Sequence, residues 1–522
     1  MMSFVLVSLV LVAAPVRADD VVVESRIVSV GLFKNGVAAV RREVTLPGPG
    51  SFALDDVPEP VHGSYWVESP ARIESRVTTR MVDLTLGPTA GDLRQDLVGR
   101  RVNLRLRGDA FATVSGTAVG IVRPAEATGA GFVVIDAATG RQYLDLDEVV
   151  AIEVVTWVPG VRTVAQPVLI LDVAPGAGEG PFVAWITYLT HGAAWAAGYH
   201  VDLTDPDTLT ITQQATIRNE FVDLTDVDID LISGFPNIEF AHVRSPMAAS
   251  TSLAQFFAEL SQRMNDPGGV LGNNDVLTQQ LATYAGGTSG PAGPTAPEVD
   301  GRADIHHQSA GRRTLKRGDT VTFDVATAAA AYEHIVEWII PDTRRPDGRF
   351  IDEYERQRDP EAYRDVAWDA IRFRNPLPFP MTTGVATIRA AGRFLGQRMS
   401  SWSNPGESVT LHVTKALSVR TRHAEQEEPG ERRIVFIGGN DFREIDVRGE
   451  VLVCNHRATP VRIVIRRRFS GDLIEAEGDP VESLREDGVY SINRRAELTW
   501  TIELPPDSER TLTYRYTVLV DH

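Results

Sequence analysis

Residues Val183–Leu203 read VAWITYLTHGAAWAAGYHVDL, and this stretch decides the fold. Between Val183 and Leu189 two sets of side chains alternate with a period of two, which is the pattern of a β-strand. A segment of small residues, Gly192–Gly198, then surrounds a single large ring and leads into a second strand, Tyr199–Leu203. Glycines in that setting predict a bulge or a close approach of neighbouring backbone. We therefore expect a strand pair here, from which the main β-structure grows.

Residues 1–18 have the features of a signal peptide. The apolar run Phe4–Ala14 is too short to span a bilayer, and Val16-Arg17-Ala18 has the small-x-small form of a signal-peptidase site. This favours export with cleavage after Ala18 over an ordinary buried strand, and it predicts a periplasmic or extracellular protein associated with the cell envelope. No second apolar run reaches transmembrane length, so we expect no stable membrane insertion after cleavage.

The charge and the cysteine content exclude several classes of protein. The chain has 52 basic and 70 acidic residues, a formal net charge of −18, which repels phosphate backbones and anionic lipid. Nucleic acid is therefore a poor partner. Cys454 is the single cysteine, so an internal disulfide is impossible. In an exported protein, stability must then come from buried apolar cores.

The first part of the mature chain predicts two small β-units. Asn35-Gly36 lies between two alternating runs and is the strongest short hairpin signal, because both residues tolerate positive φ. It belongs to an N-terminal β-domain over residues 19–90. Five short alternating runs follow within Leu97–Val155, and they predict a small closed SH3-like barrel over residues 97–157. Such barrels often bind peptides or RNA. The acidic balance argues against RNA, and a plain packing module is the alternative.

A loose internal repeat organises the rest of the chain. Three times a strand-like run ends in asparagine, at Asn219, Asn375 and Asn455, and a second alternating run follows. Each unit later shows a polar turn and a further strand. Strand, turn and strand at similar offsets predict repeated antiparallel sandwich modules.

The predicted fold is therefore mainly β, with several immunoglobulin-like β-sandwich modules, the SH3-like barrel and a short helical insertion. The modules are a central sandwich over residues 160–340, a second over 341–425 and a C-terminal one over 430–522. Residues 248–310 form a helical and flexible insertion in the central module. Within it Leu253, Phe256 and Phe257 lie on one helical face behind a capping-box pattern that starts at Ser252.

The central stretch also resembles a known family. Ile186–Trp195, together with Tyr199 and Asp202, is similar to the central signature of the mucoidy-inhibitor-like proteins. These are exported bacterial β-rich proteins built around a domain of unknown function. Ile217–Asn219 and Leu231–Pro236 resemble the next block of that family.

The resemblance extends to Arg26–Val57, which is similar to the N-terminal β-domain of the same family. It implies a cell-envelope protein with a link to exopolysaccharide production, and it supplies no catalytic residues. Members of the family often carry long coiled-coil helices between the N-terminal and central domains. Leu97–Val155 has neither heptads nor helix caps, so we expect the spacing of the domains and the choice of partner to differ from those of the family.

Reactive residues occur in the sequence, but their patterns favour structural roles. A run of four aspartates lacks the turn glycine and the later glutamate of a calcium loop, and it predicts a strand with one wet face: Asp223, Asp226, Asp228 and Asp230. His306 and His307 are adjacent, near Asp300 and Asp304, and would point apart in an extended chain, which argues against a zinc site. Cys454 and His456 share a strand parity, yet the apolar run before Cys454 favours a buried structural thiol.

One aromatic group is a candidate binding surface: Trp185, Tyr188, Trp195 and Tyr199. Flat aromatic faces stack against the CH groups of sugars or the ridges of proline-rich peptides. Tryptophans are commoner in sandwich cores, so core packing is the alternative.

Two functions remain. The first is an exported, non-catalytic envelope scaffold or binding protein, whose partner is an envelope protein or a polysaccharide and which needs no cofactor or metal. The second is an envelope hydrolase that acts on polysaccharide through two carboxylates brought about 5–10 Å apart. The sequence contains neither a Gly-x-Ser-x-Gly elbow nor a His-Glu-x-x-His motif, which favours the first.

Overall fold

The protein is seen here in a computed structural model, which describes residues 21–85, 97–107, 113–122, 131–155, 161–175, 180–234, 236, 238–261, 305–345, 347–358, 360–361, 363–429, 433–484 and 492–521. Strands dominate these residues, and the predicted mainly β fold with sandwich-like stacked sheets is confirmed. Residues 1–18, with the predicted signal segment, and most of the 248–310 insertion lie outside the described residues.

The strands are, in chain order, β1 Val21–Val22, β2 Ser25–Leu32, β3 Val37–Leu46, β4 Gly50–Leu54, β5 Trp66–Glu68, β6 Ile73–Thr85, β7 Arg101–Leu106, β8 Thr113–Val122, β9 Phe132–Ala137, β10 Gly140–Asp145, β11 Val149–Val154, β12 Val161–Val173, β13 Phe182–His191, β14 Ala193–Asp202, β15 Thr208–Asn219, β16 Leu224–Ser233, β17 His306–Leu315, β18 Thr320–Ile340, β19 Trp368–Arg374, β20 Gly384–Ala390, β21 Arg393–Ser400, β22 Ser408–Lys415, β23 Val419–Glu427, β24 Ile434–Ile437, β25 Asn440–Asn455, β26 Val461–Ser470, β27 Asp472–Ala476, β28 Val481–Leu484, β29 Arg495–Leu504 and β30 Ser508–Asp521. The helices are α1 Leu253–Ser261 and α2 Glu353–Arg358, and a 3-10 turn covers Leu146–Glu148.

The strands form five sheets. A four-stranded sheet has the order β1-β4-β12-β6, and a six-stranded sheet has the order β17-β16-β2-β3-β13-β5. The ten-stranded sheet runs β21-β20-β14-β15-β18-β26-β29-β28, with β19 attached to β18 and β22 to β19. The C-terminal sheet has the order β23-β25-β30-β27, with β24 also on β25. The fifth sheet, β10-β9-β8-β7-β11, is separate in sequence.

The chain changes sheets at Gly192. β13 pairs with β3 and β5 in the six-stranded sheet, whereas β14 pairs with β15 and β20 in the ten-stranded sheet. Gly192 has a φ of +110°, and a Cβ at this position would lie 3.2 Å from the Cα of Phe221. Two strands exist as expected, and the predicted close approach of backbone is present. The expectation that these strands pair with each other is wrong, because the glycine directs them into different sheets.

The strands of residues 19–90 and 160–340 share sheets rather than forming separate domains. β2 and β3 pair with β16 and β13, and β4 and β6 pair with β12. One apolar core lies among the four-stranded, six-stranded and ten-stranded sheets, and Val40, Leu169, Ile186 and Ile217 are among its buried members. The N-terminal strands therefore depend on the central ones for their burial.

Residues 97–155 form a β-unit with its own small core. All of its pairings are antiparallel, and buried Val102, Leu104, Val133 and Ile135 pack together. The five predicted strands are present, but the described residues show no closure between the edge strands β10 and β11, so the closed barrel is not found. The unit is inserted between β6 and β12, which pair with each other along 13 residues.

The strand β18 joins two halves of the molecule. Its first part pairs with β15, and its second part pairs with β19 and, in parallel, with β26. A second apolar core lies between this end of the ten-stranded sheet and the C-terminal sheet, and it includes buried Trp338, Ile465, Trp500 and Tyr516. Strands β19–β22 of the predicted 341–425 module lie in the ten-stranded sheet and β23 in the C-terminal sheet. That segment therefore does not form a sandwich of its own.

The three repeat asparagines occupy equivalent buried positions. Asn219 and Asn455 are the last residues of their strands and Asn375 directly follows its strand. The Oδ1 of each accepts a hydrogen bond from the backbone N–H two residues later, at 3.0–3.1 Å. Each Nδ2 donates to backbone carbonyls of the following loop and of the segment leading into the polar turn. Asn219, Asn375 and Asn455 are all almost fully buried. The repeat predicted from the sequence is thus a repeated hydrogen-bonded corner.

The helix α1 begins where the capping box predicts. The Ser252 hydroxyl accepts from the Gln255 N–H at 3.1 Å. Only Phe256 is buried, against the ring of His62, while Leu253 and Phe257 are exposed. Within the described residues, neither helix has the length and apolar character needed to span a bilayer.

Candidate functional site

Three of the four predicted aromatic site residues lie in the core. Tyr188, Trp195 and Tyr199 are at most 2% exposed. They point inward because β13 and β14 each alternate, and these residues share the parity of the buried set. The interpretation of these three rings as a binding surface is therefore wrong, and the alternative of core packing holds. Only Trp185, of opposite parity, reaches the solvent side.

The polar tips of the buried rings are all satisfied. The Trp195 Nε1 donates to the Ile232 carbonyl at 3.0 Å. The Tyr199 hydroxyl donates to the Thr382 carbonyl at 3.0 Å and accepts from the Thr382 N–H at 2.8 Å. Burial raises the pKa of Tyr188 to about 12, although the Arg42 guanidinium, whose Nε donates to its hydroxyl at 2.9 Å, opposes that rise. These rings bridge elements that are distant in sequence, which is a structural task.

A second tryptophan joins Trp185 on the outer side of the six-stranded sheet. Trp185 lies opposite Glu68, and Trp66 lies opposite Thr187, so all four side chains share one face. Trp66 is 67% exposed on the three-residue edge strand β5. Arg41 lies opposite Thr187 from the other neighbouring strand. We call this surface, made of Arg41, Trp66, Glu68, Trp185 and Thr187, the tryptophan face.

The charged pair of the tryptophan face fixes its geometry. The Arg41 guanidinium lies 4.4 Å from the centre of the Trp185 ring and bonds Glu68 at 3.3 Å, so it crosses β13 to reach β5. Trp185 is therefore half-buried beneath a cation. The Arg41 and Glu68 side chains stay 45% and 53% exposed. The exposed indole of Trp66 therefore lies beside a hydrogen-bond donor, Arg41, and an acceptor, Glu68, whose positions are fixed by their ion pair.

The chain matches no protein-family model and no curated protein.

A buried polar cluster lies between the ten-stranded and C-terminal sheets. The Arg467 side chain is fully buried, and its Nη2 bonds Glu425 at 2.5 Å while its Nε donates to the Tyr514 hydroxyl at 2.6 Å. That hydroxyl donates to Glu425 at 2.7 Å and contacts the His423 Nε2 at 2.8 Å. Asp342 lies beside them and accepts from the Ser470 hydroxyl at 2.6 Å. We call these residues the Arg467 cluster.

The pKa values within the Arg467 cluster diverge. Burial alone would raise the pKa of Glu425, but Arg467 and His423 lower it to about 2. Burial, with help from Arg467, lowers the pKa of His423 to about 4. Burial raises the pKa of Asp342, although Arg467 opposes this rise. At neutral pH the cluster thus holds an ionised Glu425, a neutral His423 and the Arg467 cation.

A matching cluster lies on the opposite face of the same strand. Arg466 bonds buried Glu497 at 2.7 Å, and Arg468 bonds its other oxygen at 2.9 Å. Glu337 is also buried, and its carboxylate contacts the His412 Nε2 at 2.6 Å. Burial alone would raise the pKa of the Glu337 carboxyl, but the interaction with His412 lowers it below its usual value. Three consecutive arginines on β26 therefore bind carboxylates on both faces of the sheet. The triplet is visible in the sequence, but such a run is typical of an exposed strand.

Three of the other reactive residues singled out in the sequence make structural contacts. Asp226 and Asp228 lie on the wet face of β16 and pair with Arg312 at 3.3 and 3.2 Å, as the alternation predicts. His306 packs its ring on Trp402 at 5.6 Å, and Asp300 and Asp304 lie outside the described residues. Within the described residues, no group of three or more His, Cys, Asp or Glu side chains is arranged to hold a metal.

Cys454 is partly exposed, so the expectation of a buried thiol is wrong. It takes the outward parity between buried Val453 and Asn455. Arg218 and Arg374 hold the same place before the other two repeat asparagines. Burial raises the pKa of the Cys454 thiol, and Glu509 raises it further.

Proposed function

We propose that this protein is an exported, non-catalytic cell-envelope binding or scaffold protein, related in role to the mucoidy-inhibitor-like family, whose partner docks on the tryptophan face. The observation that supports it is the 67% exposure of Trp66 beside the Arg41–Glu68 pair. The Trp66 side chain lies outside the apolar cores that the described residues form, so burial does not account for its presence.

The polar chemistry of the chain also favours binding over catalysis. The Arg467 cluster contains two carboxyl groups whose pKa values are shifted in opposite directions, raised at Asp342 and lowered at Glu425, and a hydrolase uses such a pair as acid and base. Arg467 interacts with both and has no exposed surface. Glycoside hydrolysis needs room for the substrate between its two carboxylates. The residues of the Arg467 cluster are therefore better suited to holding the ten-stranded and C-terminal sheets together.

The proposal is tested by substitution on the tryptophan face. Full-length protein, with Trp66→Ala and Phe394→Ala variants, is immobilised and exposed to solubilised envelope from the producing cell. Phe394 is the matched control, since it is a 63% exposed aromatic on the edge strand β21 of another sheet. Trp66→Ala should lose capture while Phe394→Ala keeps it, and both should keep the wild-type melting temperature. Capture that survives Trp66→Ala would refute the assigned surface.

Export is tested separately. A fusion of residues 1–30 to a reporter should be secreted and cleaved after Ala18. Retention of the uncleaved fusion in the cytoplasm would contradict the proposed location in the envelope.

A further inference from the structure

The ligand class of the tryptophan face follows from what its side chains offer. The open indole of Trp66 presents a flat apolar surface, on which either the CH face of a sugar ring or a proline ring can stack. Stacking alone does not distinguish these two ligands. The polar groups beside the ring must decide between them.

The neighbouring polar pair favours a ligand that both donates and accepts hydrogen bonds. Arg41 has only donors, and ionised Glu68 has only acceptors, and the two lie 3.3 Å apart. A single mutual bond leaves most of their capacity unused on their exposed sides. Adjacent sugar hydroxyls can accept from a guanidinium and donate to a carboxylate at the same time. A polyproline helix offers carbonyl acceptors but no N–H, so it would leave Glu68 unmatched.

Two pairs of opposite charge lie at and beside the tryptophan face. Arg41 pairs with Glu68, and Arg26, on the next strand, lies 3.7 Å from Glu43. These four side chains thus provide two positive and two negative charges. The chain as a whole carries a net charge of −18, which repels polyanions. A uronic-acid or phosphate-bearing polymer therefore gains no net attraction here.

We propose that the tryptophan face binds an uncharged polysaccharide, stacking one sugar ring on Trp66 and hydrogen-bonding adjacent hydroxyls with Arg41 and Glu68. This inference rests on the proposed binding function and narrows it to one ligand class. Trp185 acts as a positioning residue, because its ring supports the Arg41 guanidinium at 4.4 Å.

Affinity electrophoresis of the full chain tests the ligand class. Native gels contain dextran, galactomannan or hydroxyethylcellulose as neutral polymers, and polygalacturonate as the anionic one, with soluble decaproline as a competitor. We expect retardation by at least one neutral polymer, weakened about tenfold or more by Trp66→Ala, as for a central aromatic contact. Glu68→Gln should weaken it severalfold, since an amide N–H replaces one acceptor, and Phe394→Ala should not change it.

The outcomes separate this inference from the proposed function. Retardation only by polygalacturonate, or competition by decaproline, would overturn the uncharged-glycan assignment. No retardation by any of the three neutral polymers would also overturn it, while Trp66-dependent capture from the envelope would keep the binding function. Retardation that Trp66→Ala leaves unchanged would overturn both assignments for this surface. Glu68→Gln with unchanged affinity would overturn the role given to the carboxylate.

Discussion

The asparagine corners permit a stringent test, because replacement of Asn455 by aspartate changes two N–H donors into an acceptor with almost no change of shape. The Asn455 Nδ2 donates to the carbonyls of Thr459, Leu504 and Pro505 at 3.0, 3.2 and 2.9 Å. In Asn455→Asp, a carboxylate oxygen faces these carbonyls instead. The bond from the Arg457 N–H to Oδ1, at 3.0 Å, can persist.

The expected loss follows from the two N–H donors that the buried carbonyls lose, although the Pro505 carbonyl keeps a hydrogen bond from the Ser508 hydroxyl at 2.7 Å. Each buried acceptor that loses its partner costs about 1–3 kcal/mol, so the two lost N–H groups lower the free energy of unfolding by roughly 2–6 kcal/mol. Burial also raises the pKa of the new carboxyl above its value in the unfolded chain. The folded variant then binds a proton that the unfolded one releases, so its deficit should be larger at pH 7 than at pH 4.

Urea denaturation followed by tryptophan fluorescence measures this loss. Asn440→Asp is the control, since Asn440 is exposed at a hairpin tip and should change stability by less than about 0.5 kcal/mol. Asn219→Asp and Asn375→Asp should behave like Asn455→Asp, because they make the same bonds. A loss below about 1 kcal/mol for Asn455→Asp at pH 7, or a deficit that grows on acidification, would refute the reasoning.

Three further changes have defined outcomes. Trp195→Ala should destabilise the fold by about 3–5 kcal/mol in urea titrations, since it removes a buried ring. An unchanged melting temperature would contradict the placement of this ring in the core. His423 has a folded pKa of about 4 against 6.5 for the free side chain, so only the unfolded chain gains its proton between these values. Stability should therefore fall as the pH falls from 6.5 to 4, and His423→Gln should flatten that dependence of the melting temperature; an equal slope in both proteins would contradict it. Cys454 should react with a thiol reagent at pH 7.5 more slowly than free cysteine, because burial and Glu509 raise its pKa, and Glu509→Gln should speed the reaction; a rate equal to that of free cysteine would exclude the effect.

Local patterns in the sequence predict the strands and the repeat well, since both depend on short-range geometry. The period-two alternation gives β13 and β14 because neighbouring side chains in a strand point to opposite faces. The asparagine corners are found because Oδ1 bonds the backbone only two residues ahead. The same alternation does not say which sheet a strand joins, so the turn of the chain at Gly192 is missed.

The candidate site was only partly accessible to sequence reasoning. The pattern identifies Trp185 as one of four rings but does not say which parity faces solvent. Trp66 is missed because β5 is three residues long and pairs with a strand more than 100 residues away. The alternation of Trp66, Val67 and Glu68 is the signal that could have indicated it. The burial of Arg467 is missed for another reason: the carboxylate that neutralises its charge, Glu425, comes from a different strand, β23.

The paired arms β6 and β12 make residues 86–160 an exchangeable cassette. The chain leaves along one arm and comes back along the other, matched residue for residue from Ile73 opposite Val173 to Thr85 opposite Val161. Neighbouring strands lie about 4.8 Å apart, so the exit and re-entry points almost coincide. A tight turn, a helical hairpin or another small fold with adjacent ends could be grafted there while both large cores kept their packing. The segment between β6 and β12 can therefore change during evolution while the sheets and the two large cores stay the same.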